Sequence, residues 1–222
     1  MPKSPASGSS APTATRSCAW RPRRSSKRSR CPTSVDEITG LILAGGEGRR
    51  VGGADKGLLD YRGKPLVAHV IERFAPQVDR LLISANRNLA AYRAYGYPVV
   101  CDASAERNGP LAGIAAGLSV CETPWLAVVP CDCPTLPADL VERLRAGAGA
   151  APLAIAATRE GTQPTFLLCR RELLPAVEAR LAAGERKLRA WCREQGAVEV
   201  GFPDAAAFRN LNTFDDLAFR RE

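Results

Sequence analysis

From Ile38 onward, short continuous apolar runs alternate with stretches in which apolar residues recur every three or four positions. The run Ile38–Ala44 (ITGLILA) is apolar almost throughout and is followed by glycine, the pattern of a strand buried on both faces. Pro65 then opens a helix, with Leu66, Val70 and Phe74 on one stripe and Val67 and Ile71 beside them. Leu81–Ala85 predicts a second strand and Tyr97–Cys101 a third. Pro110–Cys121 predicts a helix of small residues, and Trp125–Cys131 a fourth buried strand. A helix over Pro137–Arg145 precedes strands at Leu153–Thr158 and Thr165–Cys169. Arg171–Ala183 and Glu185–Gln195 have helical spacing, with Pro175 resetting the first of them. Val198–Phe202 is a late strand, and Thr213 with Asp216 forms a capping pair for a last helix.

Strands alternating with helices at this spacing predict one α/β domain: an open, mostly parallel sheet with helices on both faces. In such sheets the ligand crevice lies at the carboxyl ends of the strands. The loops after Ala44, Ala85, Cys101 and Cys131 are therefore expected to line a single site. The domain runs over 37–222. Residues 1–36 are rich in Ser, Pro, Ala and Arg, lack aliphatic periodicity and are expected to be disordered. A solvated extension or start-site artefact, a transit peptide and an RNA-binding arm are all compatible with that tail.

Charge sharpens this division. The chain of 222 residues carries a formal charge of +8. Residues 1–37 hold eight basic residues against two acidic ones, a surplus of +6, which leaves only +2 for the rest. A nearly neutral domain suits an enzyme handling polyphosphate better than a duplex-binding surface, so nucleic acid is not the expected partner. No run approaches the length of a membrane span, and a soluble, cytoplasmic protein is expected. Of eight cysteines, Cys18 and Cys31 lie in the tail and six in the domain, with no CxxC and a single histidine. Zinc spacings are absent, and the thiols read as buried structural groups in a reducing compartment.

The chemistry concentrates after the first strand. Residues 45–57 read GGEGRRVGGADKG, with glycine at 45, 46, 48, 52, 53 and 57. Glycines let successive backbone N–H groups converge on phosphate oxygens, and Arg49, Arg50 and Lys56 add cations. Lys56 precedes Gly57 rather than Ser or Thr, which excludes a P-loop. Val51 stands where a dinucleotide fingerprint needs glycine. Asp102 and Asp132 each follow a predicted buried strand, on the side where the glycine loop emerges. Mg²⁺ bridging triphosphate oxygens takes one or two carboxylates plus phosphate and water, so Asp132 is the expected Mg²⁺ ligand, with Asp102 in the same pocket. His69, on a predicted helix, reads as a helix-face residue rather than a catalytic base. Transfer to an acceptor that is itself a phosphate needs positioning and charge neutralisation, not a base.

Leu43-Ala44-Gly45-Gly46 through Arg50, followed by Gly52-Gly53-Ala54-Asp55-Lys56-Gly57-Leu58, resembles the signature of the bacterial molybdenum cofactor guanylyltransferases, a branch of the nucleotidyltransferase superfamily. Further matches follow in order: Gly63–Leu66, Ala85-Asn86-Arg87, Gly109–Gly113, Pro130–Asp132, Gln163–Thr165, Ala183–Arg186 and Asn210–Thr213. The resemblance implies a Rossmann-like open sheet of the nucleotide-diphospho-sugar transferase type. It also implies transfer of GMP from GTP to the terminal phosphate of molybdopterin, the pterin of the molybdenum cofactor. By position, Leu43, Ala44, Gly45 and Gly46 would hold the nucleotide, with Ser84, Asn86 and Asp102 beside it. Arg50 and Lys56 would act on phosphate, Asp132 would hold Mg²⁺, and Asn210 and Asn212 would lie on the pterin side. The implied partners are GTP, molybdopterin, other cofactor-biosynthesis proteins and acceptor molybdoenzymes. Three positions depart from the pattern: Val51 replaces methionine, Ser84 an asparagine and Phe214 a proline. Guanine specificity rests on the resemblance alone. A cytidylyltransferase for the same cofactor, a sugar-nucleotide pyrophosphorylase and a non-catalytic nucleotide- or nucleic-acid-binding protein are the alternatives.

Overall fold

Strand β1 (Ile38–Leu43) lies inside the sheet, and its alternate residues feed two separate cores. The computed structural model describes residues 36–44, 55–102 and 109–211. The basic tail through residue 35, the loop from Gly45 to Ala54 with Arg50, and the segment from Asn212 with its expected capping pair lie outside the described residues. The domain boundary drawn at residue 37 is thereby left as an expectation.

After β1 come a short hairpin of β2 (Asp60–Tyr61) and β3 (Lys64–Pro65), helix α1 (Leu66–Phe74) and strand β4 (Arg80–Ser84). Helix α2 (Leu89–Arg93), strand β5 (Val99–Val100), helix α3 (Pro110–Val120) and strand β6 (Trp125–Pro130) complete the first half. Helix α4 (Leu140–Ala148), strands β7 (Leu153–Thr158) and β8 (Gly161–Arg170), helices α5 (Leu174–Ala182) and α6 (Leu188–Glu194) and strand β9 (Val198–Gly201) follow. The seven-stranded sheet has the order β5-β4-β1-β6-β8-β7-β9. Only β8 runs against its neighbours β6 and β7; the other pairings are parallel. This is the open, mostly parallel sheet that the sequence predicts.

One face is covered by α1 and α4, whose Phe74, Ile71, Leu140 and Leu144 pack with Ile42, Val129 and Phe166. The other is covered by α3, α5 and α6, whose Ile114, Leu118, Val177 and Trp191 pack with Leu41, Val128 and Leu167. Trp125, Trp191, Phe74 and Phe166 are fully buried, and burying such aromatic side chains stabilises the fold by roughly 1.5–3 kcal/mol each. Thr39 and Thr123 share a 2.8 Å hydroxyl hydrogen bond in the interior, and Thr123 donates to the carbonyl of Trp125, so neither buried polar group is stranded.

Five of the six described cysteines are buried and none is in a disulfide; Cys101 is exposed. Burial pushes the Cys133 and Cys192 thiols up to about 12 and Cys169 higher still, which keeps them protonated and unreactive. The expectation of structural thiols holds for these residues.

Several elements differ from the sequence reading: α2 and the β2–β3 hairpin are additional to it, and α5 and α6 begin at Leu174 and Leu188 rather than at Arg171 and Glu185. The third strand shrinks to Val99–Val100, although the carbonyls of Pro98 and Val100 still accept from Ile83 and Ala85. The helix placed over Pro137–Arg145 begins at Leu140 and runs on to Ala148. Strand β8 extends back to Gly161, because a register shift opposite Ile155 and Ala156 takes up the residues around Pro164. Proline lacks the N–H a regular ladder requires, and a bulge is where a strand tolerates it.

Candidate active site

The parallel register brings the ends of four strands to one edge. Leu43 on β1 pairs with Ser84 on β4 and Pro130 on β6, and Ser84 pairs with Val100 on β5. The chain leaving each strand is tied to the next: Ala44 N–H donates to the Ser84 carbonyl (2.7 Å), Ala85 N–H to the Val100 carbonyl (3.0 Å), and Cys131 N–H to the Leu43 carbonyl (3.0 Å). Asp132 and Asp102 follow directly, so both carboxylates stand on the edge where the glycine loop starts. Leu43 and Ala44 thus have these backbone groups engaged in the sheet. Gly45, Gly46 and Arg50 are outside the described residues.

The loop's other end returns to the same edge. Lys56, in a 3-10 turn over Lys56–Leu58, donates from Nζ to Asp132 Oδ2 at 3.4 Å. The two side chains are 18% and 14% exposed, so the pair is largely withdrawn from water. Burial raises the Asp132 carboxyl above its ordinary value, and the Lys56 ammonium opposes that rise. A carboxylate so desolvated, with a long contact to one ammonium, gains from a second cation.

Asp102 and Asn86 form a reciprocal pair. Asn86 Nδ2 donates to Asp102 Oδ2 (2.7 Å), and the Asp102 N–H donates to Asn86 Oδ1 (2.9 Å). Burial raises the Asp102 carboxyl too, against the lowering effect of Asn86. Its Oδ1 is buried without a hydrogen-bond partner among the described residues, an acceptor a ligand hydroxyl or N–H would satisfy.

Ser84 ends β4 at the same edge. It is buried, and its Oγ lies 2.8 Å from where a Cβ on Gly113 would stand. Gly113 on α3 lets that helix close onto the ends of β1 and β4. The sequence motif Gly109–Gly113 therefore acts in packing beneath the site.

The C-terminal motif also arrives here. Leu211 N–H donates to the Asp132 carbonyl at 2.9 Å, which sets half-buried Asn210 beside the magnesium candidate; Asn212 is outside the described residues. This segment is held by Phe208, whose ring packs edge-on against Phe166 (4.9 Å) and Phe202 (5.1 Å). Phe208 is a residue the sequence reading passed over. The single histidine is elsewhere: His69 Nε2 donates to the Tyr61 carbonyl (2.6 Å) and braces the β2–β3 hairpin, in keeping with a helix-face role.

Sequence reasoning also missed a buried cluster below the loop. Asp55 accepts from the Tyr92 hydroxyl (2.6 Å) and from Asn88 Nδ2 (3.0 Å), with Arg87 Nε at 3.7 Å. An aspartate one residue before Lys56 was the available signal, but its partners lie on α2 and the two residues leading into it, which the apolar pattern does not show.

With this arrangement in place, the similarity to known proteins becomes specific. A family model described as a MobA-like NTP transferase domain matches residues 40–199. The chain belongs to that family. A molybdenum cofactor guanylyltransferase from Bordetella petrii is 53% identical over 188 residues, covering 82% of this chain and 95% of that protein. One from Cupriavidus necator is 50% identical over 189 residues with the same coverage. Among solved structures, the molybdopterin-guanine dinucleotide biosynthesis protein A of Archaeoglobus fulgidus superposes with a TM-score of 0.65 at 22% identity, covering 81% of this chain and 94% of that one. At that identity the superposition bears on the fold, while the close relatives carry the family. The chain is accordingly a nucleotidyltransferase of the molybdenum cofactor branch.

Proposed function

We propose that the protein transfers GMP from GTP to the terminal phosphate of molybdopterin, with Mg²⁺ held at Asp132. The observation that carries this reading is the approach of Lys56 Nζ to Asp132 Oδ2 at the carboxyl edge of the sheet, where the glycine loop begins and ends. A phosphate oxygen of the pterin attacks the α-phosphorus of GTP. The bond from that phosphorus to the bridging oxygen breaks, and pyrophosphate leaves with the electron pair.

The residues present fit a magnesium ion. Asp132 offers a desolvated carboxylate, and Asp102 offers an acceptor oxygen without a partner among the described residues. Among the described residues no group of three or more His, Cys, Asp or Glu side chains could by itself hold a metal. Magnesium suits such a site, because it takes most of its ligands from phosphate and water. When bound, it supplies neutralisation of the charge that builds on the phosphate oxygens.

The chain's own residues do the rest. Lys56 places an ammonium where triphosphate oxygens meet Asp132. Asn86 holds Asp102 by its side chain and by its backbone N–H, which keeps its other oxygen available to the nucleotide. Asn210 stands on the acceptor side through the bond from Leu211 to the Asp132 carbonyl. No side chain has to deprotonate the nucleophile, since a phosphate monoester is already anionic, and the engagement of His69 elsewhere costs nothing.

This reading sets the protein in the cytoplasm, in contact with proteins that deliver the pterin and molybdoenzymes that receive the product. No described helix is long and apolar enough to cross a membrane. The test is transfer of α-labelled nucleotide to molybdopterin across the four NTPs. GTP is expected to be the preferred donor, and Asp132→Ala to lower turnover about 100-fold or more. Preference for CTP would overturn the guanine assignment, and undiminished transfer by Asp132→Ala would overturn the site.

A further inference from the structure

The turn that carries Lys56 is short, and what fixes it in space is not the residues around its ammonium. Lys56 sits between Asp55 and Gly57, both buried. Asp55 projects into the protein, where its two carboxylate oxygens are taken by α2 and the residue that opens it: Oδ1 by the Tyr92 hydroxyl at 2.6 Å and Oδ2 by Asn88 Nδ2 at 3.0 Å. Arg87 Nε, at 3.7 Å, supplies charge compensation. A carboxylate withdrawn from water is costly unless its acceptor sites are filled, and here they are filled by donors that come from one helix and its entry.

Gly57 completes the clamp from the other side. A Cβ there would stand 2.5 Å from the Tyr92 hydroxyl and 3.3 Å from Cys131 Sγ. Backbone and phenol are in closer contact than any side chain would permit. Tyr92 is fully buried, and burial, with the nearby Cys131 and the Asp55 carboxylate, pushes its hydroxyl far above the ordinary value; the proton therefore stays on Tyr92 and is donated to Asp55. The turn itself is closed by Leu58 N–H to the Asp55 carbonyl (3.0 Å) and Leu59 N–H to the Lys56 carbonyl (3.1 Å). Lys56 thus belongs to a turn whose residues on both sides, Asp55 and Gly57, are packed against Tyr92, with Asp55 also held by Asn88.

The geometry points to Asp55 and Tyr92 as positioning residues that set where the Lys56 ammonium stands, acting on the reaction only through Lys56. This rests on the reading of Lys56 as a phosphate ligand. It adds that α2, an element with no residue at the substrates, governs how well the glycine loop's last cation is aimed. Displacing a catalytic group by about 1 Å is enough to cost roughly two orders of magnitude in rate, so an anchor of this kind has a measurable effect.

A double-mutant cycle on kcat/KM for GTP, joined to amide exchange, tests it in the full chain. Tyr92→Phe keeps the ring and removes the donor. It is expected to lower kcat/KM about tenfold in the parent background and less than about twofold in a Lys56→Ala background, the non-additivity expected of residues acting as one unit. The same substitution is expected to speed exchange at the Leu58 and Leu59 amides about tenfold while leaving β1 and β6 amides unchanged. Asn88→Gly, which suits the left-handed backbone at that residue (φ 51°), removes the second donor and is expected to repeat both results even if Tyr92→Phe folds poorly. Equal losses from Tyr92→Phe in both backgrounds, or unchanged exchange at Leu58 and Leu59, would overturn the proposal. If the parent protein transfers no nucleotide at all, the functional reading falls instead, and the exchange measurement alone decides the anchor.

Discussion

Phe208 offers the sharpest separation between holding the fold and holding the acceptor side. Its ring is 4% exposed and makes edge contacts with Phe166 and Phe202 at 4.9 and 5.1 Å. Phe208→Ala removes that ring at a cost of about 3–5 kcal/mol. Hydrogen bonds that also attach the segment run from Leu211 N–H to the Asp132 carbonyl (2.9 Å), from Cys133 Sγ to the Ala207 carbonyl (3.2 Å) and from Thr135 Oγ1 to the same oxygen (3.5 Å). At roughly 1 kcal/mol net for a good hydrogen bond, and less for the thiol and the long contact, these total about 2 kcal/mol. The loss exceeds what these bonds contribute, and the segment 206–211 is expected to open locally while the sheet persists. Amide exchange at Leu211 is expected to accelerate roughly 10²–10³-fold with strand amides in β1 and β6 unaffected. In transfer assays the KM for the pterin acceptor rises, and the KM for GTP stays within about twofold. Retained protection at Leu211, or a rise in KM for GTP with the acceptor KM unmoved, would refute this account of the segment.

Other perturbations follow from the same contacts. Burial raises both Asp102 and Asp132, so the metal-free protein gains stability from them below the ordinary aspartate range and loses it as pH rises through the raised values. Metal binding needs the deprotonated form and so weakens on acidification from a pH above the ordinary 3.8. Thermal unfolding in chelator and Mg²⁺ titration across pH, for the parent and Asp132→Asn, check both signs; the slopes should flatten in the variant. Gly113→Ala would place a Cβ 2.8 Å from both Leu43 Cδ2 and Ser84 Oγ, costing about 1–3 kcal/mol, read as a fall in Tm of about 2–4 °C per kcal/mol and partly recovered by adding Ser84→Ala. Asn86→Ala frees the Asp102 side chain and leaves its N–H unpaired, so KM for GTP is expected to rise about tenfold with a smaller change in kcat. A kcat effect alone would argue against Asn86 acting through the nucleotide.

The fold was legible wherever apolar periodicity was strong. β1, β6 and β7 lie within a residue of their predicted bounds, because a strand buried on both faces leaves a continuous apolar run. Helix α2 was invisible: its five residues bury only Tyr92, too short a stretch to show a helical period. The two carboxylates and Lys56 could be placed together from topology alone, since parallel strands with short crossovers deliver their following residues to one edge. The Asp55–Tyr92 anchor could not, as it depends on a contact 37 residues apart in sequence and on no repeating pattern. Ser84 illustrates the opposite limit. The resemblance suggests a nucleotide contact there, but nothing in the sequence foretells that its side chain packs under Gly113.

The reversal of β8 has a consequence beyond sheet geometry. Val128 pairs with Leu167 and Trp125 with Arg170, so β8 begins, rather than ends, near the edge that carries Asp132, and Gln163 to Thr165 enter at that level. Chain from the second half of the domain is thereby returned to a crevice otherwise built by the first. The hairpin tip between β7 and β8 can lengthen, shorten or change composition without shifting a residue of the nucleotide-facing strands. A scaffold wired in this way can acquire a new acceptor while keeping its donor chemistry intact.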